Sequence, residues 1–158
     1  MVPKKQGNIR CANIYGGGDL NFSRIIPDTI RSVLYKRNPI IRSDGTPLRD
    51  YIYIEDIVRV YLTLAERVNN EKIRGQAFNF GTNRPISVLD LVNLILRLSG
   101  CDFLTPRIML KTKIDGEIDR QFLSSEKAEK MLGWSPKVSL EEGLLKTIDW
   151  YRQYFADS

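Results

Sequence analysis

The run IRCANIYGGGDLNFSRIIPDTIRSVLYK, residues 9–36, decides the fold. Ile9–Tyr15 carries β-branched and aromatic side chains and ends on Gly16-Gly17-Gly18, which reads as a strand running into a loop. From Ser23 the spacing changes. Ile26, Ile30, Val33 and Leu34 recur at helical intervals through Lys36, with Pro27 near the start, where a helix tolerates it. Strand, glycine loop and helix in succession form the unit of an α/β layer structure.

The alternation continues outward from this run. Pro39–Arg42 and Arg49–Ile54 read as short strands around the turn Asp44-Gly45-Thr46-Pro47. Residues 56–68 read as a helix with Asp56 as N-cap and Ile57, Val60, Tyr61, Leu64, Ala65 and Val68 facing inward. Gln76–Phe80 is the next strand, closed by Gly81. Ser87 and Asp90 form a capping box for a helix through Leu98, and Gly100 supplies its C-cap. Arg107–Ile114 reads as a strand, and Ser125–Leu132 as a short helix stopped by Gly133. Ser139 and Glu142 form a second box, opening a helix that turns Leu144, Leu145, Ile148, Tyr151 and Phe155 inward. No internal repeat or low-complexity tract interrupts the pattern.

Composition narrows the chemistry. The 158 residues carry 24 Lys+Arg against 19 Asp+Glu, a formal net charge of +5, with 42% apolar and 27% charged residues. That is the balance of one globular domain. The absence of histidine removes every Ser-His, Cys-His and His-metal arrangement. Cys11 and Cys101 make neither a disulfide framework nor a zinc site. Apolar runs fall short of the ~18 residues a membrane span needs. Lys4 and Lys5 are not followed by the apolar stretch of a signal peptide, so a cytoplasmic location without membrane contact is expected.

The basic excess is uneven. Residues 1–49 hold nine Lys or Arg against three Asp, whereas residues 50–158 hold 15 basic and 16 acidic side chains. Arginines grouped this way suit phosphate oxygens, which guanidinium groups bind in pairs; a solvated helix face is the alternative. The basic–aromatic interleaving of a nucleic-acid surface is missing. Other motifs fail. Gly16-x-Gly18-x-x-Asn21 lacks the third glycine of a dinucleotide fingerprint, with no acid at the expected distance beyond it. None of the seven tyrosines is followed by lysine at the fourth position. Glu55-Asp56 and Glu141-Glu142 sit at helix starts, where carboxylates satisfy free amides.

A resemblance extends this reading. Arg10-Cys-Ala-Asn13-Ile-Tyr15-Gly16 resembles the R-x-x-N-x-Y-G segment of extended short-chain dehydrogenase/reductases that act on nucleotide sugars. The segments 16–34, 41–66, 77–83 and 116–151 resemble CDP-glucose 4,6-dehydratases in particular. Where dTDP-glucose dehydratases carry R-P-G-H-D, this chain has Ile114-Asp115-Gly116-Glu117-Ile118, which favours the CDP-glucose branch. The resemblance implies an α/β fold of short mixed strands and helices, the C-terminal lobe of such an enzyme with most of the Rossmann sheet missing. Residues 1–158 are then one substrate-binding lobe, with 1–8 a start foreign to the family. It implies substrate contacts at Asn13, Arg24 and Arg49, the two arginines toward the diphosphate, and a nucleobase slot lined by Pro39 and Ile41. Asn13 would also meet the nicotinamide edge. NAD is the cofactor of the parent family, with none expected on this chain alone. Alternatives are a half-enzyme complemented by a Rossmann partner chain, a UDP-sugar epimerase branch, and a non-catalytic module for phosphorylated ligands. A bare sheet edge at Ile9–Tyr15 further predicts self-association.

The family's Tyr-x-x-x-Lys pair is absent from this sequence, so the 158-residue chain supplied with NAD should form no 4-keto-6-deoxy sugar from CDP-glucose. Product assays decide this, and sustained turnover by the pure chain would contradict it.

Overall fold

The opening strand forms, but in two pieces. In the computed structural model, which describes residues 8–67, 69–110 and 118–157, the chain begins with β1 (Asn8–Cys11) and β2 (Asn13–Tyr15), then α1 (Ile25–Leu34). Next come β3 (Ile40–Ile41), β4 (Leu48–Arg49), β5 (Tyr51–Tyr53), α2 (Ile54–Glu66) and β6 (Ala77–Phe80). The order closes with β7 (Ile86–Ser87), α3 (Val88–Leu98), β8 (Arg107–Ile108), β9 (Arg120–Gln121), α4 (Glu126–Leu132) and α5 (Leu140–Ala156). The result is a mixed α/β fold of helices and very short strands.

The break in the first strand is a change of partner. β1 runs parallel to β6, pairing Asn8 with Ala77 through Cys11 with Phe80. Ala12 still donates its N–H to the Phe80 carbonyl at 2.8 Å, but Asn13 donates to the carbonyl of Asp50 at 3.0 Å. From there β2 runs parallel to β5. The strand expected over Arg49–Ile54 breaks in the same way at Asp50. β4 lies between antiparallel β7 and parallel β9, while β5 belongs to β2. β3 pairs with β8 as a separate parallel pair. Lys111–Ile114 of the strand expected over Arg107–Ile114 fall outside the described residues.

The serine N-cap of each expected capping box forms. Ser87 Oγ accepts the Asp90 N–H at 3.0 Å, and Ser139 Oγ accepts that of Glu142 at 3.1 Å. Gly100 and Gly133 end their helices at φ +69° and +64°, the left-handed geometry that favours glycine. α2 departs from expectation. It starts at Ile54 with Tyr53 as N-cap, so Asp56 is not the cap. The Asp56 carboxylate is fully buried and accepts the N–H groups of Lys137 at 2.8 Å and Val138 at 3.1 Å, besides pairing with Arg59. It fastens the segment before α5 to α2.

Two apolar clusters hold the elements together. One joins Tyr15, Tyr51 and Tyr53 to α1, α3 and α5 through Ile30, Leu91, Ile95, Leu144, Ile148 and Tyr151. The other packs Ile57 and Val60 of α2 on Ile52, Phe78, Phe80 and Trp134. Because α2 meets the β1–β6 pair along Ile57 and Val60, the expected inward residues Tyr61 and Ala65 face outward with Val58 and Leu62, and Val68 lies outside the described residues. Leu145 of α5 is also exposed, one step of about 100° off the buried line through Leu144 and Ile148. Among the described residues no helix is long and apolar enough to cross a membrane.

Gly143 of α5 is needed for the first cluster. The Tyr15 hydroxyl donates to the Leu140 carbonyl at 3.2 Å, and a Cβ at residue 143 would overlap that hydroxyl and press Tyr53 at 3.0 Å. In a helix Ala is preferred over Gly by up to about 1 kcal/mol, but forcing a methyl into a packed core costs about 1–3 kcal/mol. Gly143→Ala should therefore destabilise the chain in urea denaturation, and a gain in stability would show that the packing is not tight.

Candidate functional site

A cavity of about 710 Å³ opens where the strands change partners, between β2, the start of α1 and the segment from β3 to β5. Its chemistry follows from three arginines. Arg24 stands at the N-cap of α1 in extended conformation, and its guanidinium meets Asp19 at 3.1 Å. Arg42 donates to the Ser23 carbonyl at 3.2 Å and lies 3.6 Å from the Asp28 carboxylate, which also holds Arg31 at 2.8 Å. Arg49 donates to the carbonyl of its neighbour Leu48 at 2.9 Å. All three line the cavity.

The helix end adds to their field. No side chain caps α1. Pro27 has no N–H and Asp28 donates its own to the Arg24 carbonyl at 3.1 Å, so the N–H groups of Ile25 and Ile26 are left over beside a cavity that both residues line. An uncapped N-terminus carries about half a positive charge and readily takes an anion. Apolar surface faces it from Ile14, Ile40 and Val88. Tyr51 closes the back. Burial pushes its hydroxyl up to about 12, with Arg49 pulling the other way, so it is protonated at neutral pH and no proton acceptor. Burial likewise raises the Cys11 thiol.

The residues expected at the site divide. Asn13, Arg24 and Arg49 come together on one cavity. Asn13 is exposed there, and its side-chain amide donates to the Asp50 carbonyl at 3.0 Å. Pro39 and Ile41 do not line it. Both are buried, and their carbonyls accept the N–H groups of Arg107 and Met109, each at 2.8 Å. The alternate residues Ile40 and Arg42 face the cavity instead, because successive side chains of a strand point to opposite sides. Arg42 was visible in the basic excess of residues 1–49, but nothing in Pro39–Arg42 told which isoleucine turns outward. Among the described residues no group of three Cys, Asp or Glu is placed to hold a metal ion.

With this geometry in hand, the chain can be set beside known proteins. Residues 5–81 match the NAD dependent epimerase/dehydratase family. The chain is related to that family. It is 31% identical over 151 residues to the dTDP-D-glucose 4,6-dehydratase of Bos taurus, a match covering 92% of this chain and 41% of that enzyme. It superposes on a crystal structure of UDP-glucose 4-epimerase with UDP-glucose from Thermotoga maritima with a TM-score of 0.81 and 32% identity, covering 94% of this chain and 46% of that one. The UDP-glucuronic acid 4-epimerase of Bacillus cereus, in complex with UDP-glucuronic acid and NAD, superposes at 0.80 with 27% identity, over 92% of this chain and 45% of the other. The chain thus spans less than half the length of these relatives.

NAD, the cofactor named with the Bacillus cereus enzyme, can be tested against the glycine loop of this chain. A Cβ on Gly16 would strike Ile54, and one on Gly17 would strike the Trp150 indole. These two glycines make room for the chain's own side chains, and only Gly18, at φ +85°, uses glycine's conformational freedom. The loop does not fit a dinucleotide pyrophosphate.

Proposed function

We propose that the cavity binds the nucleoside diphosphate portion of a nucleotide sugar, as the substrate-binding lobe of an epimerase- or dehydratase-type enzyme. The observation that carries this is the meeting of Arg24, Arg42 and Arg49 with the uncapped start of α1. Guanidinium groups and helix N–H groups are the two donors best suited to phosphate oxygens. Ile40 and Ile14 offer apolar wall to the base or sugar, and Asn13 a polar edge. CDP-glucose is the proposed ligand, on the resemblance of residues 41–66 and 116–151 to CDP-glucose dehydratases. A UDP-sugar is the second reading, favoured by the 32% identity to an epimerase solved with UDP-glucose. In either case these residues bind and orient. Tyr51 and Cys11 stay protonated, and no step of proton abstraction is assigned to them.

A partner is also proposed. Ile54, Val58, Tyr61 and Leu62 stand 38–59% exposed on one side of α2, and β1 pairs only with β6 among the described residues. An open strand edge beside an apolar stripe suits a second chain, either another copy or a Rossmann-bearing partner. Light scattering of the pure chain should show about twice 18.2 kDa at micromolar concentration. A mass that holds at 18.2 kDa on concentration would exclude self-pairing.

Titration by NMR or calorimetry tests the ligand. CDP and UDP should bind in roughly the millimolar range, because one wall of a cleft captures only part of the ligand. Arg49→Ala should weaken the better of the two by about tenfold, the worth of one charge-assisted hydrogen bond. Arg97→Ala, on the exposed face of α3, should change it by less than about twofold. Equal losses from both substitutions would show a diffuse charge effect rather than a site.

A further inference from the structure

Asp50 is fully buried, yet its carboxylate has no cation on it among the described residues. It is held by hydrogen bonds alone. Oδ2 accepts the N–H of Thr82 at 2.8 Å and that of Asn83 at 3.3 Å, and Oδ1 accepts the Thr82 hydroxyl. Asn83 adopts φ +57°, so the loop after β6 curls its amides around the carboxylate. Gly81 leaves the space, since a Cβ there would run into Oδ2 and the Leu123 carbonyl. Desolvating a lone carboxylate costs several kcal/mol, about what a neutral or apolar residue at the same place would avoid.

The main chain of the same residue reaches three ways. Its carbonyl accepts both the backbone N–H and the side-chain amide of Asn13, each at 3.0 Å. Its N–H donates to the Gln121 carbonyl at 3.3 Å. Its two neighbours, Arg49 and Tyr51, line the cavity, while Asp50 itself does not. Alternation along an extended chain means that pulling the Asp50 side chain into the 81–83 loop drives both neighbours the opposite way.

We infer that Asp50 is a positioning residue for the anion site. Anchored in the 81–83 loop, it presents Arg49 and Asn13 to the ligand without touching it. This rests on the reading of the cavity as a nucleoside diphosphate site.

The test uses the ¹⁵N-labelled chain, CDP as probe, and two variants that keep shape: Asp50→Asn and Thr82→Val. Three signals are read: the Nε–H of Arg49, the side-chain amide of Asn13, and CDP affinity. Asp50→Asn should move both resonances and weaken CDP by about tenfold although Arg49 is intact, with Thr82→Val giving a smaller change in the same direction. If Asp50→Asn does not fold, Thr82→Val is read alone. Shifts confined to the Thr82 and Asn83 amides, or an unchanged affinity with a wild-type chain that binds, would overturn the inference and leave Asp50 a structural anchor. If the wild-type chain binds neither CDP nor UDP, the nucleotide reading fails on its own, and movement of the Arg49 and Asn13 signals still decides whether Asp50 positions them.

Discussion

Two strands change partners side by side, and the architecture hangs on that crossing. Asn13 leaves β6 for Asp50 at the same level where Asp50 leaves β4's sheet for β2, and one carbonyl, that of Asp50, takes both amides of Asn13. Strands that part company cannot fill the gap between them with backbone hydrogen bonds. In parallel α/β structures such a gap lies at the carboxyl ends of the strands, where ligands collect. Here β2 leads through the glycine loop to α1, whose uncapped start faces the gap, and β4 brings in Arg49 from the other side. The cavity is therefore a consequence of topology before it is a matter of particular side chains.

The crossing also splits the core. One apolar cluster lies with α1, α3 and α5, the other with α2, α4 and β6. Asp56 spans the division, holding Lys137 and Val138 from the α4–α5 connection against α2. Tyr15 meets α5 through Leu140 and the space left by Gly143. These contacts keep the cavity walls in register although the strands themselves are two to four residues long and could not do so through ladders alone.

Local signals in the sequence were sufficient wherever local forces decide. The two serine N-caps, the glycines that end α3 and α4, and the inward face of α1 were all legible, because a hydroxyl, a left-handed glycine or a helical period acts over a few residues. The arginine excess of residues 1–49 pointed to an anion, and three of those arginines meet on one cavity. What could not be read depends on distant partners. The breaks at Ala12 and Asp50 arise from strands far along the chain, and a strand-like run carries no mark of where it will switch. Asp56 looked like a cap because it stands near a helix start; its true partners are 81 and 82 residues away. The choice between Ile40 and Ile41 turns on a register set by β8, with identical side chains on both faces.

The start of α1, together with the cavity arginines, is proposed to hold a diphosphate. The backbone amides of Ile25 and Ile26 report on it directly, since they belong to the turn that would face the phosphate oxygens. Their ¹⁵N–¹H signals should move progressively with added CDP and stay fixed with cytidine, which carries the base and ribose but no phosphate. Amides of Ile25 and Ile26 that ignore CDP at concentrations saturating other shifts in the chain would contradict the claim.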